Sequence, residues 1–165
     1  MAITNIPTIE EKHISELRAA FEHRATWMYL LMNEARKKGL AWDDFARDAV
    51  FQCGCMHGDN LKSGMVDPSD MREFSNTFGA GSAHKVFEME KKAADDNRFY
   101  LDFHYCPLVA AWQKLGCSPE DIAHLCDVAM DGDRGIASRF PDFEFTLGKT
   151  IAKGDPVCEI RFDRK

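Results

Sequence analysis

No run of the 165 residues approaches the roughly 20 apolar positions that a membrane-spanning helix needs. No clustered basic patch accompanies the net charge of -6, which argues against nucleic acid or an anionic membrane as a partner. The opening Met-Ala-Ile-Thr-Asn-Ile-Pro has no basic stretch followed by an apolar core. The expectation is therefore no secretion signal and a cytoplasmic location. The six cysteines, at 53, 55, 106, 117, 126 and 158, include no pair of C-x-x-C motifs. In a reducing compartment they are expected as free thiols, metal ligands or core residues rather than disulfides. Gly79-Ala-Gly-Ser82 lacks the Lys-Ser/Thr ending of a phosphate loop and has no strand before it. With no repeat, low-complexity tract or linker either, residues 1–165 are expected to form a single domain, large enough for a core at 45% hydrophobic content.

What the chain does have is concentrated between Asn97 and Arg164. Arg98-Phe-Tyr-Leu-Asp-Phe-His-Tyr-Cys106 alternates with period two. Phe99, Leu101, Phe103 and Tyr105 share one face; Tyr100, Asp102, His104 and Cys106 share the other. Pro107 ends the ladder directly after the thiol, which suits a reactive group at the edge of a cleft. Ser118-Pro119 caps a following helix whose buried stripe is Ile122, Leu125, Ala129 and Ile136, with Cys126 beside it. Asp133, seven residues beyond Cys126, shares its face if the helix persists, and Asp127, Asp131 and Arg134 share a charged edge. Gly132 and Gly135 weaken that helix. Strands over 143–151 and 157–163 then make a hairpin that turns Cys158, Ile160 and Phe162 to one side.

The N-terminal half reads as support. Thr8 and Glu11 make a capping-box pattern before an apolar stripe of Ile14, Leu17, Phe21, Met28, Leu31 and Ala35, ended by Gly39. Arg24 interrupts that stripe, either as a snorkelling or internally paired side chain or as a fork for a substrate carboxylate. A second helix begins at Asp43 or Asp44. The Cys53, Cys55 and His57 that follow have the wrong spacing for zinc and fan around a helix, so a packed, glycine-containing helix is expected. A short helix from Asp67-Pro68 through Phe74 and a strand from Lys85 to Lys92 complete the order. Helices against about four antiparallel strands make an α+β domain.

Cys106-Pro-Leu, Leu-Cys126-Asp127, Asp131-Gly-Asp-Arg134 and Lys149-Thr-Ile-Ala-Lys-Gly-Asp-Pro-Val-Cys158-Glu-Ile-Arg-Phe162 resemble the L-2-amino-thiazoline-4-carboxylic acid hydrolase family. Phe21-Glu-His-Arg-Ala-Thr-Trp-Met-Tyr-Leu-Leu31 resembles the same group. The resemblance implies hydrolytic opening of a 2-aminothiazoline ring to N-carbamoyl-L-cysteine. That chemistry needs a nucleophile, an acid for the departing thiolate and a cation for the carboxylate. The candidates are Cys106, Cys126 or Cys158; His104, Asp131 or Asp133; and Arg24. Two other readings stay open. His104, Cys106, Cys126 and Cys158 could hold zinc or iron, or the pocket could belong to a non-enzymatic small-molecule carrier or sensor. The partner expected in every case but the metal shell is a small molecule, with a homo-oligomer left open.

Overall fold

The computed structural model describes residues 2–165. Its centre is one antiparallel sheet in the order β1-β2-β4-β3, formed by Met89–Ala94 (β1), Arg98–Phe103 (β2), Phe143–Leu147 (β3) and Cys158–Arg164 (β4). The helices are Lys12–Lys37 (α1), Ala46–Ser63 (α2), Met71–Thr77 (α3), Ala83–Val86 (α4), Pro107–Lys114 (α5), Pro119–Ala129 (α6) and Asp131–Ala137 (α7). This is the α+β domain that the sequence implies. No helix among the described residues is long and apolar enough to cross a membrane.

Alternation dictates the sheet. Phe99, Leu101, Ile160 and Phe162 are buried on one face, while Tyr100, Asp102 and Arg161 lie half-exposed on the other. The open face is stitched by ions: Arg161 donates to Asp102 at 2.6 Å, and the Tyr100 hydroxyl donates to Asp163 at 2.7 Å. The buried face meets two apolar groups. One is an aromatic cluster centred on Phe74, whose ring lies 4.7 Å from that of Phe140 and 4.9 Å from that of Phe162. The other holds Trp112, Val109, Leu125 and Ile151 together with Cys126 and Cys158. Pro107 in the first turn of α5 and Ser118 capping α6, with its hydroxyl accepting from the Asp121 amide at 3.1 Å, act as their sequence positions imply.

Four local expectations are corrected. α1 begins at Lys12, and Thr8 does not cap it; the Thr8 amide and hydroxyl instead donate to Glu88, each at 2.7 Å. The buried stripe of α1 is Ile14, Arg18, Ala25 and Met32, whereas Leu17, Arg24 and Leu31 are exposed. The helix is thus rotated, because Arg18 has a buried acid to meet and Arg24 has none. The strand expected from Lys85 starts only at Met89; the residues before it form α4 and a left-handed turn at Glu88, with φ at 49°. The helix expected to run from Ser118 to Ile136 breaks at Met130 into α6 and α7, as its two glycines suggested.

α2 carries the glycine-containing segment. Gly54 and Gly58 are buried and lie on α7, while Cys53 and His57 face solvent and Cys55 lies 3.6 Å from the Ser138 hydroxyl. The four-residue spacing of the glycines, not the thiols, is what that stretch is for.

Candidate functional site

Three cysteines converge where β2, α6 and β4 meet α5. Cys106 is the N-cap of α5, in an extended conformation at φ -132°. Cys126 is a buried residue of α6, and Cys158 opens β4 opposite Phe103. The apolar packing around Cys126 and Cys158 includes a half-buried Cys106. Asp133, in the first turn of α7, and Arg24, on α1, lie close enough to change the charge balance of this group. The structure therefore brings Cys106, Cys126, Cys158, Asp133 and Arg24 into one region.

Electrostatics separates the three thiols. Burial pushes Cys126 far above the ordinary thiol range, and the neighbouring Cys158 and Cys106 push it further. Burial also raises Cys158 strongly, with Cys106 adding to it, although the Ile151 amide donates to its sulfur at 3.3 Å. Cys106 is raised by burial too. Against that, the Val109 and Leu108 amides face its sulfur and Arg24 lies near, so its thiolate has the most support of the three. The sulfur nevertheless makes no capping hydrogen bond of ordinary geometry to the helix. Burial raises the Asp133 carboxyl to about 6, against the pull of Arg134 and Arg24. A half-buried carboxyl titrating there can both take and return a proton near neutral pH.

Two candidates lie elsewhere. His104 does not face Cys106: it is exposed, and its Nε2 lies 3.0 Å from the Glu90 carboxylate. Strand alternation fails between them, because the successive amides of His104 and Tyr105 donate to Glu88 and Phe87 on the same side. Asp131 is buried, and its two oxygens accept from Arg47 at 3.0 Å and Arg134 at 2.6 Å. Arg47 and Arg134 also hold Asp127. This ionic knot ties α2, α6 and α7 together and engages both Asp131 oxygens with guanidinium groups. With His104 turned away, the four-donor shell of His104, Cys106, Cys126 and Cys158 does not assemble. Among the described residues, no three His, Cys, Asp or Glu side chains are placed to share a metal ion.

Sequence reading missed two supporting residues. The Asn5 side chain brackets the backbone of Cys106, accepting from its amide at 2.9 Å and donating to its carbonyl at 2.8 Å. This clamp fixes the turn that carries the thiol, and nothing in local spacing announces a contact across 101 positions. Thr150, next to the Ile151 amide that meets Cys158, keeps a buried hydroxyl with no hydrogen-bond partner among the described residues. Such an orphan costs about 1–3 kcal/mol unless a water or ligand satisfies it. The two described clefts lie apart from the thiols: one borders Trp42 and His124, the other the loop after α3. The cysteine group is identified by its chemistry rather than by the size of a cavity.

No match to this chain is found among curated proteins. Among solved structures, a trafficking protein particle complex subunit 3 from Naegleria fowleri, described as covalently bound to palmitic acid, is similar in fold at a TM-score of 0.59. The match has 15% sequence identity and covers 90% of this chain and 96% of that one. The family model for L-2-amino-thiazoline-4-carboxylic acid hydrolase matches residues 18–162, and the chain belongs to that hydrolase family.

Proposed function

We propose that the chain opens a small cyclic substrate of the 2-aminothiazoline-4-carboxylate kind, with Cys106 as nucleophile, Asp133 as proton carrier and Arg24 as carboxylate clamp. The observation that carries this reading is the grouping of the half-buried Cys106 thiol, at the start of α5, with Arg24 and with the Asp133 carboxyl that burial raises to about 6. Asp133 takes the proton from Cys106 as the sulfur attacks the amidine-like carbon. Collapse breaks the ring carbon–sulfur bond, and the departing thiolate receives that proton. Water then attacks the resulting isothiourea carbon, Asp133 again handles the proton, and Cys106 leaves as the urea product forms. One substrate and one water give one N-carbamoyl thiol acid, with the enzyme regenerated. Cys126 and Cys158 shape the apolar wall; they are buried where Cys106 is half-buried, and the rise of their thiols far above the ordinary range makes them poorer nucleophiles.

Three substitutions test this with 2-aminothiazoline-4-carboxylate and thiol release as the assay. Cys106→Ser lowers kcat by about a thousandfold or more; turnover within tenfold of wild type removes Cys106 from the reaction. Asp133→Asn abolishes the acidic limb of the rate profile near pH 6 and at the same time stabilises the fold. The sign follows from linkage. A folded pKa raised above the unfolded value near 3.9 gives stability that is present below that value and lost as pH rises to about 6. After discounting for partial exposure, removing the ionised group gains about 1–2 kcal/mol at pH 7, visible as a higher Tm. Arg24 is exposed and stacks over Phe21 at 4.8 Å, so Arg24→Met leaves stability within about 0.5 kcal/mol. It raises KM for carboxylate-bearing substrates and spares their amides; equal losses for both overturn the clamp.

One observation favours a second reading, an acyl-carrying thiol. Cys126 and Cys158 are buried among apolar side chains, and the fold relative from Naegleria fowleri is described with a covalent palmitate. Intact mass of the protein as isolated decides: a hydroxylamine-labile palmitoyl increment supports the carrier, and unmodified mass with turnover supports the hydrolase.

A further inference from the structure

A cleft of about 650 Å³ opens between the loop after α3, the start of α4 and the edge strand β1. It lies over the aromatic half of the core, whereas the thiols sit in the other apolar cluster. Its floor is apolar, made by Phe78, Met89 and Leu101. Glycine at 79 keeps that floor open, since a side chain there would press on the Met89 sulfur at 3.0 Å. Its rim carries His13, His84, Lys85 and Lys91, and no acidic side chain lines it.

An acid-free basic rim is unexpected on a chain with net charge -6. Lys85 is neutralised from outside the wall by Glu11, at 2.7 Å. Lys91 is not: among the described residues its ammonium meets only the Ser75 carbonyl at 3.1 Å and the Phe99 ring at 5.7 Å. A cation held by neutral partners above an apolar floor is an electrostatic well for a negative group. The volume is that of a small-molecule site. No thiol lines the cleft, so it offers binding and no counterpart of the cysteine chemistry.

We infer that this cleft is a second binding site, for an organic anion with an apolar body, seated with its carboxylate, sulfonate or phosphate on Lys91 and His84 and its body on Phe78, Met89 and Leu101. It is independent of the thiol site, so its occupancy does not depend on the hydrolytic reading. The probe is 8-anilinonaphthalene-1-sulfonate, followed by fluorescence, beside the neutral N-phenyl-1-naphthylamine. Wild-type protein binds the sulfonate saturably, at one equivalent. Lys91→Gln, on an exposed edge-strand position, keeps the wild-type Tm but binds the sulfonate about tenfold more weakly while binding the neutral amine equally well. Added salt narrows that difference. Unchanged sulfonate affinity in both Lys91→Gln and His84→Gln overturns the inference. So does sulfonate binding that vanishes in Leu31→Asp, on the exposed face of α1.

Discussion

Gly135→Ala is expected to destabilise the protein by about 3 kcal/mol or more, although alanine is the better helix former by about 1 kcal/mol. The sign is decided by what a new methyl meets. At Gly135 it would overlap the Phe51 carbonyl oxygen and lie 2.9 Å from the Cys55 nitrogen, both on α2. These are backbone atoms of a facing helix, so no side-chain rotation can make room. The helices must separate, and every contact along the crossing is lost with them. Gly54→Ala meets the same obstacle from the other side, in the Gly132 carbonyl. Gly132→Ala is the control, because its methyl would sit 3.7 Å from a Val50 methyl, an ordinary contact. It is expected to be neutral or stabilising by up to about 1 kcal/mol. In a chain of this size the difference between the two α7 variants corresponds to about 10 °C or more in Tm. Thermal melts of the two proteins check it; a Gly135→Ala melt within 2 °C or so of wild type, on that scale, removes the close crossing. The crossing also holds α7, and hence Asp133, against the rest of the site.

What the sequence made legible was whatever is decided within a few residues. The alternation of Phe99 and Leu101, the break at Pro107 and the cap at Ser118 each depend on neighbours along the chain, and each is found where it was read. Cys106, Cys158 and Asp133 entered together as candidates through the family resemblance, because no spacing along the chain joins segments so far apart. What was not legible depends on partners far away. The stripe of α1 was misjudged because burial of Arg18 depends on Glu88, 70 positions later. Period two placed His104 beside Cys106, but the ladder loses its phase between them. A packed, glycine-containing helix at Gly54 and Gly58 was read, but not that α7 is what it packs against.

Removing one member of the Arg18–Glu88 pair should cost about 3–5 kcal/mol, because the other is left charged in the interior. Both side chains are 6% exposed and their ions lie 2.8 Å apart. Arg18 also donates to the carbonyls of Val86, Ile9 and Lys85 and stacks on Tyr105 at 4.5 Å. Burial alone would raise the Glu88 carboxyl, but the Ile9 and Thr8 amides, the Thr8 hydroxyl and Arg18 outweigh it and hold it below the ordinary range. A lowered folded pKa means stability that is full above the unfolded value, near 4.3, and lost as pH falls through the folded one. Acid unfolding should therefore be less steep in Glu88→Gln than in wild type. A double-mutant cycle of Arg18→Met and Glu88→Gln should give a coupling of about 2 kcal/mol or more, measured by urea unfolding; additive losses would show that the two act separately. The consequence reaches the thiol. Glu88 anchors Thr8 and Ile9, and the same segment carries Asn5, whose side chain brackets Cys106. Under conditions where Glu88→Gln is still folded, Cys106 should alkylate faster and turnover should fall, with the conservative Glu88→Asp intermediate in both. An unchanged Cys106 alkylation rate would confine the pair to holding the fold and leave the placement of the thiol to the N-cap of α5 alone.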